Sequence, residues 1–139
     1  IFRHMMDIKA RLKPDEFNRY IQLLIYSKAS FDNEETYKGM LEDRLKANND
    51  TNPQPLIGLE GQAAACMEHY ILEQLKEIKQ PVLVLGGEAD KFTPLWMTKE
   101  VAENLPNSDL HTYSKSGHAF HWENIDDFNP RVKQWLLTH

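Results

Sequence analysis

Pro81-Val82-Leu83-Val84-Leu85-Gly86-Gly87-Glu88-Ala89-Asp90-Lys91-Phe92-Thr93-Pro94 is where the chain changes period. Val82 to Leu85 form a short continuous apolar run bounded by turn residues, the pattern of a strand buried on both faces of a parallel sheet. Working downstream, the pattern predicts a helix over about 94–104, a second strand over about 109–113 and a final helix over about 126–137. A strand-helix-strand order returns the chain in the same direction, so the two strands are expected to pair in parallel. The expected fold class is α/β, ending in a β-α-β-α unit.

Upstream of Pro81 the pattern is helical. Phe2, Met5, Met6, Ile8 and Leu12 recur at helical spacing, and Pro14 opens a second helix with Phe17, Ile21, Leu24 and Ile25 on one stripe. A third helix is expected over about 34–47, with Asp32 or Asn33 as its N-cap and the polar run Asn48-Asn49-Asp50-Thr51-Asn52-Pro53 as its stop. From Pro55 to about Gln80 the pattern stays helical, broken into a long and a short segment. The expected organisation is therefore a helical region over 1–75 and an α/β segment over 76–139. A two-stranded parallel sheet would leave the apolar edge of Val82 to Leu85 unpaired, and such edges invite pairing with another strand. The expected partner at that edge is either an N-terminal half of the fold, preceding these residues, or a second copy of the chain.

With 139 residues, of which 41% are apolar and 27% charged, the composition is that of an ordinary soluble domain. The net charge of −5 offers no basic patch, which argues against nucleic acid and anionic membranes as partners. Cys66 is the only cysteine, so no intramolecular disulfide can form and a cytoplasmic location is the default expectation. No apolar run approaches the roughly 20 residues of a membrane span, and the first residues lack a signal-peptide pattern. The start at Ile1, already inside an amphipathic pattern, leads us to expect a chain cut from something longer.

Asp90 falls just past the C-terminal end of the first strand, where open α/β sheets carry their functional loops. Ser116-Gly117-His118 falls just past the second, so parallel pairing brings a carboxylate and an imidazole together. A neutral imidazole takes a proton from a hydroxyl only when its other nitrogen carries the hydrogen. A buried carboxylate fixes that tautomer and stabilises the imidazolium that forms. The competing reading of Asp90 is a cap for the helix after Pro94, and Glu88 is a competing acid. A metal site built from His118, His121 and His111 with Asp90 lacks the helical His spacing or cysteines of stronger signatures, and no metal is expected. Gly86-Gly87 does not meet the G-x-G-x-x-G frame, so no nucleotide cofactor is expected either. No Ser, Cys or Asp stands in a G-x-S-x-G frame; Ser27, Ser30, Ser108, Ser114 and Ser116 all lie in structural contexts.

The strand Pro81–Leu85, the Gly87-x-x-Asp90-x-x-x-Pro94 frame, and Gly117-His118 followed by Glu123 and Phe128-Asn129 together resemble the C-terminal part of the α/β-hydrolase fold. The resemblance is specifically to the broad group that contains esterases, enol-lactone hydrolases, carbon–carbon bond hydrolases, haloperoxidases, epoxide hydrolases and dehalogenases. The resemblance implies that Asp90 is the triad acid and His118 the triad base, that the two strands are the last of an eight-stranded sheet, and that residues 1 to about 75 are a helical cap. The nucleophile would lie outside this chain. It further implies hydrolysis of a small, largely apolar ester, lactone or related substrate. Trp96, Phe120, Trp122, Tyr20 and Met67 are the candidate pocket residues, although core packing is the commoner fate of such side chains. The alternatives are a non-catalytic ligand-binding or regulatory protein of the same fold, and an inactive self-associating fragment.

Overall fold

The computed structural model describes residues 1–139. Their contacts cluster into two compact units, Ile1–Leu23 with Asn33–Tyr70, and Leu24–Asp32 with Ile71–His139. No helix is long and apolar enough to cross a membrane.

The first unit is helical: α1 (Phe2–Lys9), most of α2 (Pro14–Ile25), α4 (Glu34–Asn48) and α5 (Leu56–Glu68). Pro14 opens α2, where its missing N–H is no loss. Asn33 caps α4, its side-chain oxygen accepting from the Thr36 N–H at 2.9 Å. Met5, Met40, Leu59 and Ala63 are buried here. Among them sits Gln22, whose amide donates to the Met40 carbonyl at 2.9 Å and so is not left unpaired in the core.

The second unit carries the change of period. It contains α3 (Lys28–Asp32), a 3-10 turn at Leu72–Glu77, β1 (Val82–Gly87), α6 (Leu95–Asn104), β2 (Ser108–Tyr113), α7 (Phe120–Glu123) and α8 (Ile125–Thr138). The strands pair in parallel in one two-stranded sheet, from Val82 opposite Ser108 to Gly87 opposite Tyr113. Leu75, Val84, Ala102 and Leu105 form the core on one face, with Leu72 and Val82 packed against it. Val84 is buried, whereas Leu83 and Leu85 are only half-buried, so within this chain β1 is covered on one face rather than on both. At the C-terminus, α8 is tied to β2: Tyr113 Oη donates to Asp127 Oδ2 at 3.0 Å and Trp135 Nε1 to Asp109 Oδ2 at 2.7 Å. Arg131 donates to both oxygens of Asp127. That bond and the Tyr113 hydroxyl hold the Asp127 carboxyl below its ordinary range, and burial raises the Tyr113 phenol.

Gly87 shows why this strand ends in glycine. A Cβ there would sit 2.1 Å from the Gly117 carbonyl oxygen and 2.5 Å from that of Ser116. The loop after β2 therefore rests directly on the end of β1, and the Ala89 N–H donates to the Ser116 carbonyl at 2.8 Å. Gly86 is crowded instead by a side chain, the two γ atoms of Thr98 lying 2.8 and 2.9 Å from its Cβ position, so relief there needs a shift of α6 rather than of the paired loop backbone. Gly87→Ala is accordingly expected to cost at least about 2 kcal/mol of stability by forcing backbone apart, and Gly86→Ala clearly less. Urea denaturation measures both; equal midpoints for the two variants would contradict this account.

Candidate active site

The site is built by two loops leaving adjacent parallel strands on the same side. The first begins as β1 ends: the Glu88 N–H continues the ladder to the Tyr113 carbonyl at 3.0 Å, and the Asp90 N–H turns back to the Gly87 carbonyl at 3.3 Å. The second begins as β2 ends, where Lys115 takes the left-handed conformation, at φ 61°, to reverse the chain. Ser116 and Gly117 are buried and deliver His118 above the first loop.

Asp90 is the hub. Its side chain is only 2% exposed, yet four donors satisfy it. Oδ1 accepts from the backbone N–H groups of Phe92 at 2.7 Å and Thr93 at 2.9 Å. Oδ2 accepts from the Thr93 hydroxyl at 2.8 Å and lies 2.9 Å from Nδ1 of His118. An assembly of donors this complete suits the ionised, acceptor-only carboxylate, so the hydrogen on the histidine belongs on Nδ1. The Thr93 hydroxyl, with its own hydrogen given to Asp90, stands 3.2 Å from Nδ1 and offers a second acceptor to the same N–H. Nε2 is then left with its lone pair on a ring that is 41% exposed, available to take a proton.

The backbone bonds at Phe92 and Thr93 also give the capping reading its due. Asp90 does organise the turn before α6, Oδ1 taking its two backbone N–H groups, while Oδ2 is shared between the Thr93 hydroxyl and the imidazole. Glu88 is committed elsewhere, accepting from the Thr112 hydroxyl at 2.9 Å on an exposed surface. Thr93 and Phe92 were not singled out in the sequence. Thr93 completes the carboxylate's shell, and the Phe92 ring packs 5.1 Å from the His118 ring at 35°. Their signal was position alone, two and three residues after the aspartate, where a short loop must fold back over it.

Among the proposed pocket residues, Trp96 lies in the first turn of α6 and Trp122 in α7, both largely exposed. Trp122 packs beside Tyr26 and His121, at 6.4 and 4.6 Å between ring centres. Phe120 is engaged in packing, stacked on Tyr113 at 5.6 Å and tilted against Phe128. Tyr20 in α2 meets His4 edge-on and packs beside Phe17, and Met67 is exposed near the end of α5. These last two belong to the helical unit. His121 sits among Phe120, Trp122 and Phe128, and burial, followed by the nearby His118, lowers its pKa below the ordinary histidine value.

The sequence profile of the TAP-like protein family (Abhydrolase_4) matches residues 66–138, just over half the chain. A 2-hydroxy-6-oxononadienedioate/2-hydroxy-6-oxononatrienedioate hydrolase of Burkholderia vietnamiensis is 40% identical over 63 residues, which are 45% of this chain and 22% of that protein. A 2-hydroxy-6-oxo-6-phenylhexa-2,4-dienoate hydrolase of Burkholderia cepacia is 33% identical over 94 residues, 66% of this chain and 33% of that one. Among solved structures, an α/β hydrolase enzyme from a Medee basin deep-sea metagenome library superposes with a TM-score of 0.77 at 21% identity, covering 97% of this chain and 49% of its own. The chain thus spans about half the length of that structure, and its matches span a third or less of these two curated relatives. On the family match, together with a fold shared along nearly the whole chain, the protein belongs to the TAP-like family of α/β hydrolases and carries part of that fold.

Proposed function

We propose that this chain supplies the acid and base of a hydrolase triad, His118 as the general base and Asp90 as the group that orients it. The observation that carries the reading is the 2.9 Å contact between Asp90 Oδ2 and His118 Nδ1 on a fully satisfied, buried carboxylate. In this reading a nucleophile from outside these residues attacks a carbonyl carbon while its proton passes to Nε2 of His118. The tetrahedral intermediate collapses, and the leaving group takes that proton from the imidazolium. Water then repeats the sequence: it gives a proton to Nε2, attacks the covalent intermediate and releases the nucleophile.

The substrate class we propose is a small, largely apolar ester, lactone or related carbonyl compound. The substrates named for the curated relatives are 6-oxo acids, a dicarboxylate in one case and a phenyl-substituted monocarboxylate in the other, and the ketone of each presents an electrophilic carbonyl carbon. Residues 1–75, which contain the whole of the helical unit, would form a cap, and the later residues the catalytic segment. Four of the chain's own serine hydroxyls are engaged elsewhere: Ser108 donates to the Ala102 carbonyl at 2.8 Å, Ser116 accepts from Asn124 at 2.8 Å, Ser30 donates to Glu123, and Ser27 accepts from the Ser30 N–H at 3.4 Å.

Pre-steady-state kinetics of the full-length protein with a chromogenic aryl ester tests this reading. A burst of phenolate equal to the enzyme concentration is expected, because a covalent acyl intermediate accumulates before water releases it. Stoichiometric binding of the ester without any phenolate release would favour a receptor over an enzyme.

A further inference from the structure

Glu123 is a half-buried carboxylate that the reaction scheme does not use, and it is nonetheless fully occupied. Its Oε2 accepts from the N–H of Gly117, the residue immediately before His118, at 2.6 Å. Its Oε1 accepts from the Ser27 N–H at 2.8 Å and from the Ser30 hydroxyl. Two segments about ninety residues apart are therefore joined through one side chain. The same two segments also touch directly. The Ala119 N–H donates to the Ile25 carbonyl at 2.8 Å, and a Cβ on Gly117 would meet that carbonyl oxygen at 2.5 Å and the Ser27 nitrogen at 2.9 Å.

Nothing in this arrangement contacts the imidazole, but it brackets it. His118 is flanked by Gly117, held from one side by Glu123, and by Ala119, held by Ile25. Backbone on both sides of the histidine is thus tied to the segment Ile25–Ser30, in addition to the bond that joins Ser116 to the loop after β1. We propose that Glu123 is a positioning residue, which clamps the His118 loop onto the Ile25–Ser30 segment and thereby sets the distance from Nδ1 to Asp90.

The chemistry requires a carboxylate rather than an amide. Donors reach both oxygens, and two of them are backbone N–H groups that can only donate. Glutamine offers one acceptor oxygen and an NH₂. Whichever way its amide is turned, either the Gly117 or the Ser27 N–H faces another donor. Glu123→Gln should therefore loosen the loop while keeping size and nearly all packing. Displacements of about 1 Å at a catalytic group can cost on the order of 10²-fold in rate.

The inference rests on His118 being the base, so the experiment separates the two. In the full-length protein, kcat and KM for a chromogenic ester are measured for Glu123→Gln, Gly117→Ala and His118→Ala, together with thermal unfolding and the downfield proton NMR signal of the His118 Nδ1–H. We expect Glu123→Gln to remain folded, to lose about 10- to 100-fold in kcat with KM changed less than about 3-fold, and to broaden or shift that signal. Gly117→Ala, whose methyl would push the same loop away from Ile25 and Ser27, should reproduce the spectral change; if it fails to fold, Glu123→Gln alone decides. A folded Glu123→Gln variant with an unaltered Nδ1–H signal and wild-type kcat overturns the clamp while leaving His118 as base. Full activity in His118→Ala overturns the base itself. A fall in thermal stability without any change in the imidazole signal reduces Glu123 to a structural tie and also overturns the proposal.

Discussion

Asp90→Asn is expected to lower kcat of the full-length protein by about 10⁴, the scale seen when a triad carboxylate becomes an amide. The reason lies in how the four donors are shared. The asparagine oxygen will settle on the Phe92 and Thr93 N–H groups, because Oδ1 already receives both of those donors and an NH₂ there would face two of them. The NH₂ then occupies the place of Oδ2, facing His118 Nδ1 and the Thr93 hydroxyl. A donor there selects the histidine tautomer with a bare Nδ1, which places the hydrogen on Nε2 and removes the lone pair needed to accept a proton. The turn itself should survive, so the variant should fold with a stability loss of about 1–3 kcal/mol. Activity within tenfold of wild type in a folded Asp90→Asn variant would falsify the orienting role of Asp90.

The fold of the second unit was legible because it depends on local punctuation. A β-branched and leucine run between Pro81 and Gly86 has few conformations other than a strand, and Pro94 and Pro14 mark helix starts by their fixed φ. The strand boundaries and the start of α4 at Asn33 followed from the same kind of signal. What remained hidden was non-local. Leu24–Asp32 packs with the second unit although its sequence continues a helical stretch, and α3 and α7 are too short to show a period. The decisive contacts of Leu24–Asp32 are with a carboxylate at position 123, and no pattern along the chain reports a bond across that separation. The burial of β1 was overread for a related reason. Apolarity at Leu83 and Leu85 records what those residues would tolerate, whereas burial depends on which surfaces are present to cover them.

At the site the division is similar. Asp90 and His118 could be paired from sequence because each follows a strand of a parallel pair, and topology alone brings such loops together. Thr93 could not, since a threonine before a proline is as readily a turn residue. Its hydroxyl matters only because Oδ2 of Asp90 has a lone pair left after meeting the imidazole. The pocket assignments to Trp96, Phe120, Trp122, Tyr20 and Met67 rested on residue type, which does not distinguish a wall of a binding site from a packed core. Phe120 illustrates the difficulty, since the stack on Tyr113 accounts for it without any ligand.

His118→Ala is expected to cost about 10⁴-fold or more in kcat and about 1–3 kcal/mol of stability, because the buried Asp90 Oδ2 loses one of its two donors while the loop stays held by backbone bonds. The sharper test is the combination. Asp90 acts on the reaction through the imidazole, whose tautomer it fixes, and has no separate route to the reacting atoms in this arrangement. Once the imidazole is gone, replacing the carboxylate should change little more. The Asp90→Asn, His118→Ala double variant should therefore retain about the activity of His118→Ala alone, rather than showing the roughly 10⁸-fold loss that independent effects would multiply to. Additivity would mean that Asp90 reaches the substrate or the nucleophile directly, and the roles assigned to the pair would have to be redrawn.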